Sequence, residues 1–406
     1  MTSTPPNKNK NHDRDPKTRL IFHTTLGSDA ILPLPNHLFL SPSSSFTSRL
    51  QHIAIAEYAL REENTSNGIE QRRIGCIEIF RLTQSEEENE DNRVREIGEI
   101  GEIGVEKVGV VNTGNVGILD IELWNGILVG AAADGGIRVV RLEKRCSDGI
   151  VNFGGREDGD EREMHCDENV MFSDGLVTSI GSEGISMGKG GQEEIGGEEV
   201  MFCGVSSTKG NVGLLRMTTT GVEVEWDKEG HAPFEAWSAV YIPSTSQSTG
   251  KNCVYSGGDD GCIRIWDRSG DSIGKIKDAH EGNGVVSFAT WKEYGLLSGG
   301  YDDCVREWDL RIRKECVRKL NVGGGAWKII KSENRERESQ VLVPSLYDGF
   351  KIVDIDKWRV TDVYKGHKGL AYGAAWLDDI GVNAGSVVSS SFYENDVHVW
   401  KTPALK

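Results

Sequence analysis

Positive charge is scarce in this chain of 406 residues, which carries 46 Lys and Arg against 63 Asp and Glu and has a formal net charge of −17. A protein that binds the nucleic-acid backbone needs a basic face, so the composition argues against a nucleic-acid partner. No apolar run approaches the ~18 residues of a membrane span, and the polar N-terminal stretch contains no apolar core of a secretory signal. We therefore expect a cytoplasmic protein without a membrane partner.

Sequence motifs for metal binding and catalysis are also missing. The eight Cys include no Cys-x-x-Cys pair, so free thiols are a simpler interpretation than a zinc or dithiol-redox site. The sequence has no His-Glu-x-x-His string, no phosphate-binding P-loop and no paired-Asp metal string. Motif spacing alone therefore indicates no enzyme class, and we expect neither a metal nor a cofactor.

What the chain does contain is a repeat. YSGGDDGCIRIWD ends at Asp267 and LLSGGYDDCVREWD ends at Asp309, so Trp266 and Trp308 lie 42 residues apart. A period of about 40–45 residues that ends in Trp-Asp is the signature of a β-propeller blade. Weaker copies bring the total to seven, with anchor residues Phe80, Val140, Leu215, Trp266, Trp308, Val353 and Trp400. The sequence therefore predicts an all-β fold, a seven-bladed WD-repeat β-propeller.

The two longest spacings between copies are acidic and rich in glycine. We interpret about 84–107 and 143–199 as flexible insertions in the early blades, because like charges repel and such segments bury too little apolar surface to offset ordering entropy. Residues 1–17 are predicted to form a disordered tail, and 18–406 a single propeller. Because the ring must close, we expect an N-terminal strand over Thr18–Leu26 to complete the last blade.

Histidines precede three of the Trp-containing copies, at His231, His280 and His367. In WD repeats such a histidine usually hydrogen-bonds an Asp of the tight turn and stiffens the blade. We predict this pairing for His280 and Asp303. The alternative is that one of these histidines serves as a catalytic base.

Aromatic residues recur where the first strand of a blade should begin, next to the loops that surround one end of a propeller channel. The three equivalent positions hold Trp237, Trp327 and Tyr372. The turns between second and third strands add Asp259, Tyr301, Tyr393 and, one residue off register, Tyr347. With the carboxylate of Glu235, these rings predict a site for a quaternary ammonium group, each cation–π contact contributing roughly 0.5–2 kcal/mol. The alternative is that Trp237 and Trp327 only pack the start of their blades.

The later blades resemble one WD-repeat family, the diphthine methylesterases of diphthamide biosynthesis. The resemblance covers roughly 230–400, and the first three blades share only the general pattern. The strings that carry it are FEAW at 234–237, VYSGGDDGCIRIWD at 254–267, LLSGGYDD at 296–303, GGGAWK at 323–328, SLYDGFKI at 345–352, GHKGLAYGAAW at 366–376 and SSFYENDVHVW at 390–400.

The resemblance implies an enzyme that hydrolyses the methyl ester of methylated diphthine, an intermediate on a histidine of the translocation elongation factor. The resulting carboxylate is then amidated by a separate ligase. Because the intermediate carries a trimethylammonium group, the aromatic and acidic rim would suit it. The candidate bases are Glu235, Asp259 and His367, and the backbone N–H groups of 323–325 are candidate oxyanion donors. The expected partner is the modified elongation factor, bound by a monomer.

A non-enzymatic function is the alternative, because a fold does not determine a function. Trp308-Asp309-Leu310-Arg311 fits the W-D-x-R box of substrate receptors in cullin-RING ubiquitin ligases. A pure scaffold is a further possibility. Release of methanol from the modified elongation factor would distinguish the esterase from both.

Overall fold

The computed structural model describes residues 17–35, 49–65, 68–84, 103–146, 149–152, 162–182, 192–195, 197–243, 252–312, 315–377 and 385–403. Seven of the sheets that these residues form are blades of antiparallel strands, apart from one parallel edge strand, which confirms the predicted seven-bladed WD-repeat propeller. An eighth sheet is a two-stranded hairpin. A single turn of 3-10 helix spans Arg335–Arg337. Among the described residues, no helix is long and apolar enough to span a membrane.

Strands are numbered along the chain, and the first strand, β1 (Thr18–His23), belongs to the last blade. Blade one contains β2 (Gly27–Leu34), β3 (Arg49–Thr65), β4 (Gly68–Ile74), β5 (Ile77–Gln84) and β6 (Ile103–Asn112). Blade two contains β7 (Ile118–Trp124), β8 (Ile127–Ala132), β9 (Gly136–Arg141) and β13 (Glu168–Met171). Between β9 and β13 lie a separate hairpin of β10 (Glu143–Cys146) and β11 (Gly149–Asn152), and β12 (Arg162–His165), which pairs in parallel with β6 at the edge of blade one. Blade three contains β14 (Val177–Gly181), β15 (Gln192–Ile195), β16 (Glu198–Ser207), β17 (Asn211–Met217) and β18 (Val222–Glu229).

The remaining four blades follow the repeat read from the sequence. Blade four contains β19 (Ala236–Ile242), β20 (Cys253–Gly258), β21 (Ile263–Asp267) and β22 (Ser272–Ile276). Blade five contains β23 (Val285–Trp291), β24 (Gly295–Gly300), β25 (Cys304–Asp309) and β26 (Cys316–Asn321). Blade six contains β27 (Ile330–Lys331), β28 (Gln340–Ser345), β29 (Gly349–Asp354) and β30 (Arg359–Tyr364), and blade seven contains β31 (Ala371–Leu377), β32 (Ser386–Ser391) and β33 (Asp396–Lys401).

The ring closes where the N-terminal strand was expected. β1 pairs antiparallel with β33, with Ile21 opposite His398 and Phe22 opposite Val397. The Thr18 hydroxyl hydrogen-bonds the Tyr364 hydroxyl of the preceding blade at 2.7 Å. The outer strand of blade seven is therefore supplied by the other end of the chain, which joins the first and last blades.

The expectation of an insertion over 143–199 is wrong for much of that interval. β13 is the outer strand of blade two, and β14 and β16 are the first two strands of blade three. In the same way 103–107 belongs to β6 of blade one. The acidic residues misled the prediction because an exposed residue such as Glu199 shares β16 with buried Val200 and Phe202, while the outer strand β13 alternates between half-buried and exposed residues. Residues 1–16, 85–102, 153–161 and 183–191 lie outside the described residues.

Within a blade, residues are more buried in the inner strand, next to the axis of the propeller, than in the outer strand. The inner strand β23, VVSFATW, is buried at every position, whereas the outer strand β26, CVRKLN, alternates between half-buried and exposed residues. A sheet covered on both faces needs no polar alternation, while the outer strand has one solvated side. Between blades six and seven, Phe350 and Ile352 pack with Trp376 and Trp400. Each such side chain contributes roughly 1.5–3 kcal/mol on burial, and the blades are held mainly by this contact.

Buried polar tetrads stiffen two of the blades. His280 Nδ1 bonds Asp302 Oδ1 at 2.6 Å and its Nε2 bonds Ser298 Oγ at 2.7 Å, while Trp308 Nε1 donates to the same hydroxyl at 2.8 Å. The predicted partner, Asp303, is corrected to Asp302, since Asp303 lies in the turn with φ +64°. Burial alone would raise the pKa of Asp302, but the hydrogen bond to His280 leads the effects that lower it to about 2. Blade four repeats the arrangement with His231, Asp260, Ser256 and Trp266.

We expect Ser298→Ala to lower the free energy of unfolding by about 1–3 kcal/mol, because the change leaves two buried nitrogens, on His280 and Trp308, without their acceptor or donor. Urea unfolding followed by tryptophan fluorescence measures this loss. Ser345→Ala is the matched control, since the buried Ser345 hydroxyl has no hydrogen-bond partner among the described residues. A loss no larger than that of the control would contradict a stabilising role for the tetrad.

Candidate functional site

The first strand of every blade lines a central channel of about 1690 Å³. In six blades this strand has a one-residue β-bulge near its start, and in blade six Trp327 takes the same place directly after the Ala326–Ser345 bridge. A bulge redirects a side chain, and the bulge residues line the channel here. We call these seven residues the mouth ring: Asp29, Leu119, Thr178, Trp237, Val286, Trp327 and Tyr372.

The next residue of each strand forms a second layer of the channel lining, which we call the second ring. Its members are Ala30, Asp120, Ser179, Ser238, Ser287, Lys328 and Gly373. Five of these are small side chains, so the two charged ones, Asp120 and Lys328, dominate the chemistry of this layer. The mouth ring likewise contains one ionisable acid, Asp29, among three aromatic residues, two aliphatic residues and one threonine.

Three consecutive glycines shortly before Trp327 give the backbone the conformation that places this tryptophan in the channel lining. The glycines at 323–325 have φ values between +71° and +86°, a region that L side chains rarely adopt. A Cβ on the middle glycine would also lie 2.7 Å from the backbone nitrogen of Asp348. The N–H of the first glycine donates to Asn321 Oδ1 at 3.0 Å, so it is not free to bind an oxyanion as proposed from the sequence. The glycines therefore shape the backbone before the tryptophan.

Four predicted rim residues meet in one group, which we call the aromatic cluster: Trp237, Tyr301, Trp327 and Tyr372. The ring centroids of Trp237 and Trp327 lie 5.9 Å apart at 63°. Tyr301 and Trp327 are 6.4 Å apart and stacked at 28°, and Trp327 and Tyr372 are 4.9 Å apart. These are ordinary aromatic contact distances, and the differing angles give the mouth several ring faces and edges.

Two further rings, which sequence reasoning missed, extend the cluster towards blade one. The Phe392 centroid lies 5.2 Å from that of Tyr372, 5.1 Å from that of Tyr58 and 4.8 Å from that of Tyr393. Phe392 directly precedes a predicted residue in the sequence, whereas Tyr58 lies in an early blade without a recognised string. Tyr393 is 72% exposed and forms the outer edge of the mouth, and Tyr347, 80% exposed, lies outside the channel lining.

The two predicted rim carboxylates are on the same side of the mouth. Trp237 Nε1 donates to Asp259 Oδ1 at 2.8 Å, which fixes the indole ring. Glu235 lines the channel, and burial followed by the charge of Asp259 raises the pKa of its carboxyl, although Arg73 opposes this. Burial, then the charges of Asp259 and Glu235, also raises the pKa of Tyr301, so its phenol stays neutral. The mouth therefore combines neutral rings with negative charge.

The structure does not place His367, the third candidate base, at the mouth. His367 Nε2 bonds Ser389 Oγ at 2.9 Å, and that hydroxyl also accepts from Trp400 Nε1 at 3.0 Å. Its ring stacks on His398 with centroids 3.8 Å apart. Burial, followed by the charge of His398, lowers the pKa of His367 well below its usual value. This is the position of the blade-stiffening histidine of WD repeats, the interpretation to which the sequence offered a catalytic base as the alternative.

An acid–lysine group below the aromatic cluster was not foreseen. Lys328 donates to Asp120 Oδ1, and the Asp120 carboxylate also accepts from the backbone N–H groups of Ile121 at 3.1 Å and Ile180 at 3.3 Å. Asp29 is 6% exposed, and its Oδ1 has no hydrogen-bond partner among the described residues. Burial is the largest effect on its pKa, which rises to about 8.

A usable signal for this group was present in the sequence. Lys328 ends the GGGAWK string, and Asp120 follows Leu119 in an equivalent strand of blade two. If the blades are aligned on their first strands instead of their third strands, Lys328 and Asp120 occupy equivalent positions. The sequence did not lead to that alignment, because the early blades show no clear Trp-Asp repeat from which to count.

A second acidic group lies within blade one, and its members are hydrogen-bonded to one another and to neighbouring residues. The ligand atoms of Glu57, Cys76 and Glu78 lie within 4.8 Å of one another. Burial first, then the hydrogen bond with Glu78, raises the pKa of Glu57 to about 9, so the two carboxyls share a proton. Lys107 Nζ at 3.1 Å and the Thr25 hydroxyl at 2.6 Å complete the bonding of Glu78. The contacts of this group are accounted for without a metal ion.

Choline should bind at the mouth, and Trp327→Ala should weaken its binding about 5- to 30-fold, equivalent to roughly 1–2 kcal/mol of cation–π contact. Quenching of tryptophan fluorescence measures the affinity. Tyr294→Ala is the control, since the Tyr294 ring lies against Arg311 and outside the aromatic cluster. Equal binding of the uncharged carbon analogue of choline would contradict recognition of the positive charge.

Comparisons with known proteins agree with the fold and find two curated relatives of modest identity. No protein-family model matches the chain. The chain is 26% identical over 206 residues to a Schizosaccharomyces pombe protein named diphthine methyltransferase, covering 48% of this chain and 59% of the relative. It is 23% identical over 224 residues to a Dictyostelium discoideum diphthine methyltransferase homolog, covering 49% and 59%. The chain thus spans less than two thirds of the curated relatives it matches.

Solved structures extend the similarity to the whole chain at the level of the fold. The WD40 propeller domain of Doa1 superposes with a TM-score of 0.58 at 10% identity, covering 96% of this chain and 98% of that one. A chain of the mitotic checkpoint complex gives 0.56 at 11%, covering 99% and 97%. The chain is a WD-repeat β-propeller that is similar, over about half its length, to proteins named for diphthine.

Proposed function

We propose that the chain acts in diphthamide biosynthesis and hydrolyses the methyl ester of methylated diphthine on a histidine of the translocation elongation factor. The names of both curated relatives support a substrate of the diphthine class. The observation that carries the proposal is the aromatic cluster, which lies with Glu235 and Asp259 at the mouth of the channel. The factor would dock outside and insert one modified side chain, in the cytoplasm and against a monomer of this chain.

The mouth suits the trimethylammonium group of this substrate. A quaternary ammonium has no N–H to donate, so a protein recognises it by ring faces and by negative charge. Trp237, Trp327 and Tyr372 supply the rings, and Glu235 and Asp259 supply charge within the same mouth. A neutral or anionic side chain would gain little here, which gives selectivity for the cationic intermediate.

The channel also suits the methyl ester, which lies next to the cation on the same side chain. The lining continues from the mouth ring to the second ring, where serine hydroxyls and the Lys328–Asp120 pair provide polar contacts. Ester hydrolysis needs an activated water and donors for the oxyanion, and both must lie within reach of the bound carbonyl. The second ring could supply such polar groups, because each of its members directly follows a mouth-ring residue in the sequence.

A substrate receptor of a ubiquitin ligase is the second candidate. Its support is the box at 308–311, in which the Arg311 side chain is 60% exposed. Arg311 is nevertheless engaged by its own blade, because Nε donates to Asp309 Oδ1 at 2.9 Å and the guanidinium lies 4.6 Å from the Tyr294 ring centre. The channel mouth has no place in this function, so the esterase is the better supported candidate.

The purified chain should release methanol from elongation factor isolated from cells that lack this protein. Trp237→Ala should lower kcat/KM about 10-fold through a higher KM, because the change removes one cation contact. Methanol and the mass of the modified histidine peptide are measured, with Tyr294→Ala as the control.

Two results would contradict the esterase. One is unchanged kcat/KM in both Trp237→Ala and Trp327→Ala, which would remove the role of the aromatic cluster. The other is the absence of methanol release by the wild-type chain, and co-purification with a ligase adaptor in that case would favour the receptor. Methyl incorporation from S-adenosylmethionine would instead favour a methyl transfer, as the relatives' names indicate.

A further inference from the structure

We propose that Asp29 and Lys328 form the hydrolytic pair of the channel, with the Asp29 carboxylate as general base for water and the Lys328 ammonium as the donor to the oxyanion. Asp120 is the positioning residue of Lys328. This assignment rests on the proposed ester hydrolysis. It replaces the three bases considered from the sequence, because Glu235 and Asp259 belong to the binding mouth and His367 to the interior of its blade.

Asp29 is a buried channel residue with a carboxyl oxygen available to accept a hydrogen bond from a substrate or water. It is 6% exposed, lines the channel, and its Oδ1 has no hydrogen-bond partner among the described residues. An orphaned carboxyl oxygen in a buried place is costly unless a ligand or a water completes it. Asp29 follows Tyr372 around the mouth ring, so a cation held by the aromatic cluster would bring its neighbouring ester to this oxygen.

Lys328 is held across the channel by a fixed carboxylate. The lysine comes from blade six and Asp120 from blade two, and the charges of both act on Asp29 of blade one. Two backbone N–H groups, of Ile121 and Ile180, hold the Asp120 carboxylate in place. An ammonium fixed before the reaction needs little reorganisation when negative charge develops on a substrate oxygen.

The reaction balances with water as the only co-reactant. Asp29 takes one proton from water while the water oxygen bonds the ester carbon, and the carbonyl electron pair moves to the oxygen, where Lys328 donates a hydrogen bond. The intermediate then collapses, the bond from carbon to methoxide breaks, and protonated Asp29 returns its proton to form methanol. The new carboxylic acid loses its own proton to solvent, which leaves a carboxylate.

The charges around Asp29 favour this role near neutral pH. Burial, the largest effect, raises its pKa to about 8, while Lys328 lowers it and Asp120 raises it. These two groups and the neutral phenol of Tyr372, whose own pKa burial and the Asp29 charge raise, face it from blades six, two and seven. A base in this range can accept a proton from water effectively. Because the base must be ionised, activity should rise as pH increases through about 8.

The test compares Asp29→Asn and Lys328→Met with Lys331→Met on the methylated elongation factor. Lys331 lines the same channel and donates to Thr290 Oγ1 at 2.7 Å, so its change removes an equal charge elsewhere. We expect kcat to fall at least ~100-fold in the first two variants with KM within about threefold, and activity within about twofold of wild type in the control. Asp29→Asn is isosteric and removes a buried acid, and thermal unfolding checks that each variant folds.

The pH profile separates catalysis from a structural role. The ascending limb of kcat/KM should disappear in Asp29→Asn and move to higher pH in Lys328→Met, because the positive charge that lowers the pKa of Asp29 is gone. Retained kcat or an unmoved limb in these variants, with an active wild type, would overturn this assignment alone. A wild-type chain that releases no methanol would overturn the proposed function and the assignment together.

Discussion

Ring closure by β1 and β33 is the constraint on which the rest of the structure depends. The strands come from opposite ends of the chain, and their hydrogen bonds join blade one to blade seven. A closed ring fixes how far each inner strand lies from the axis, so the mouth-ring residues of all seven blades line one channel. The mouth ring and the second ring follow from this geometry, and both would disperse in an open arrangement of the same sheets.

Burial has opposite consequences for acidic side chains in the blades and in the channel. Asp302 and Asp260 are bonded by His280 and His231, and the pKa of each falls to about 2 even though burial acts to raise it. The Oδ1 atom of Asp29 has no hydrogen-bond partner among the residues that the structure describes, and burial raises the pKa of this carboxyl to about 8. The blade carboxylates therefore stay ionised and stabilise the fold, whereas the channel carboxyl can exchange a proton near neutral pH.

Sequence reasoning succeeded where a single blade contains the whole signal. The Trp-Asp repeat of blades four and five and the places of Trp237 and Trp327 near the start of a blade could be predicted because turn chemistry and spacing are local. The closing strand could be predicted for another reason, namely that a propeller ring must close. Sequence reasoning failed over 143–199, since the charged residues of β16 precede buried apolar residues and the outer strand β13 has no buried residue to reveal it. It also paired His280 with the wrong member of the Asp302-Asp303 dipeptide, because a one-residue difference in a tight turn changes which side chain points inward.

The sequence by itself determined the blade, with its turn glycines, its Trp anchors and its alternation of apolar residues, because those follow from neighbours along one sheet. Only the tertiary structure decided which side chains share the channel. Lys328 and Asp120 are separated by 208 positions in the sequence, and Asp29 is also distant from both along the chain. No local pattern connects such residues, since they come together only when seven sheets close around one axis and burial removes the water that would otherwise screen their charges.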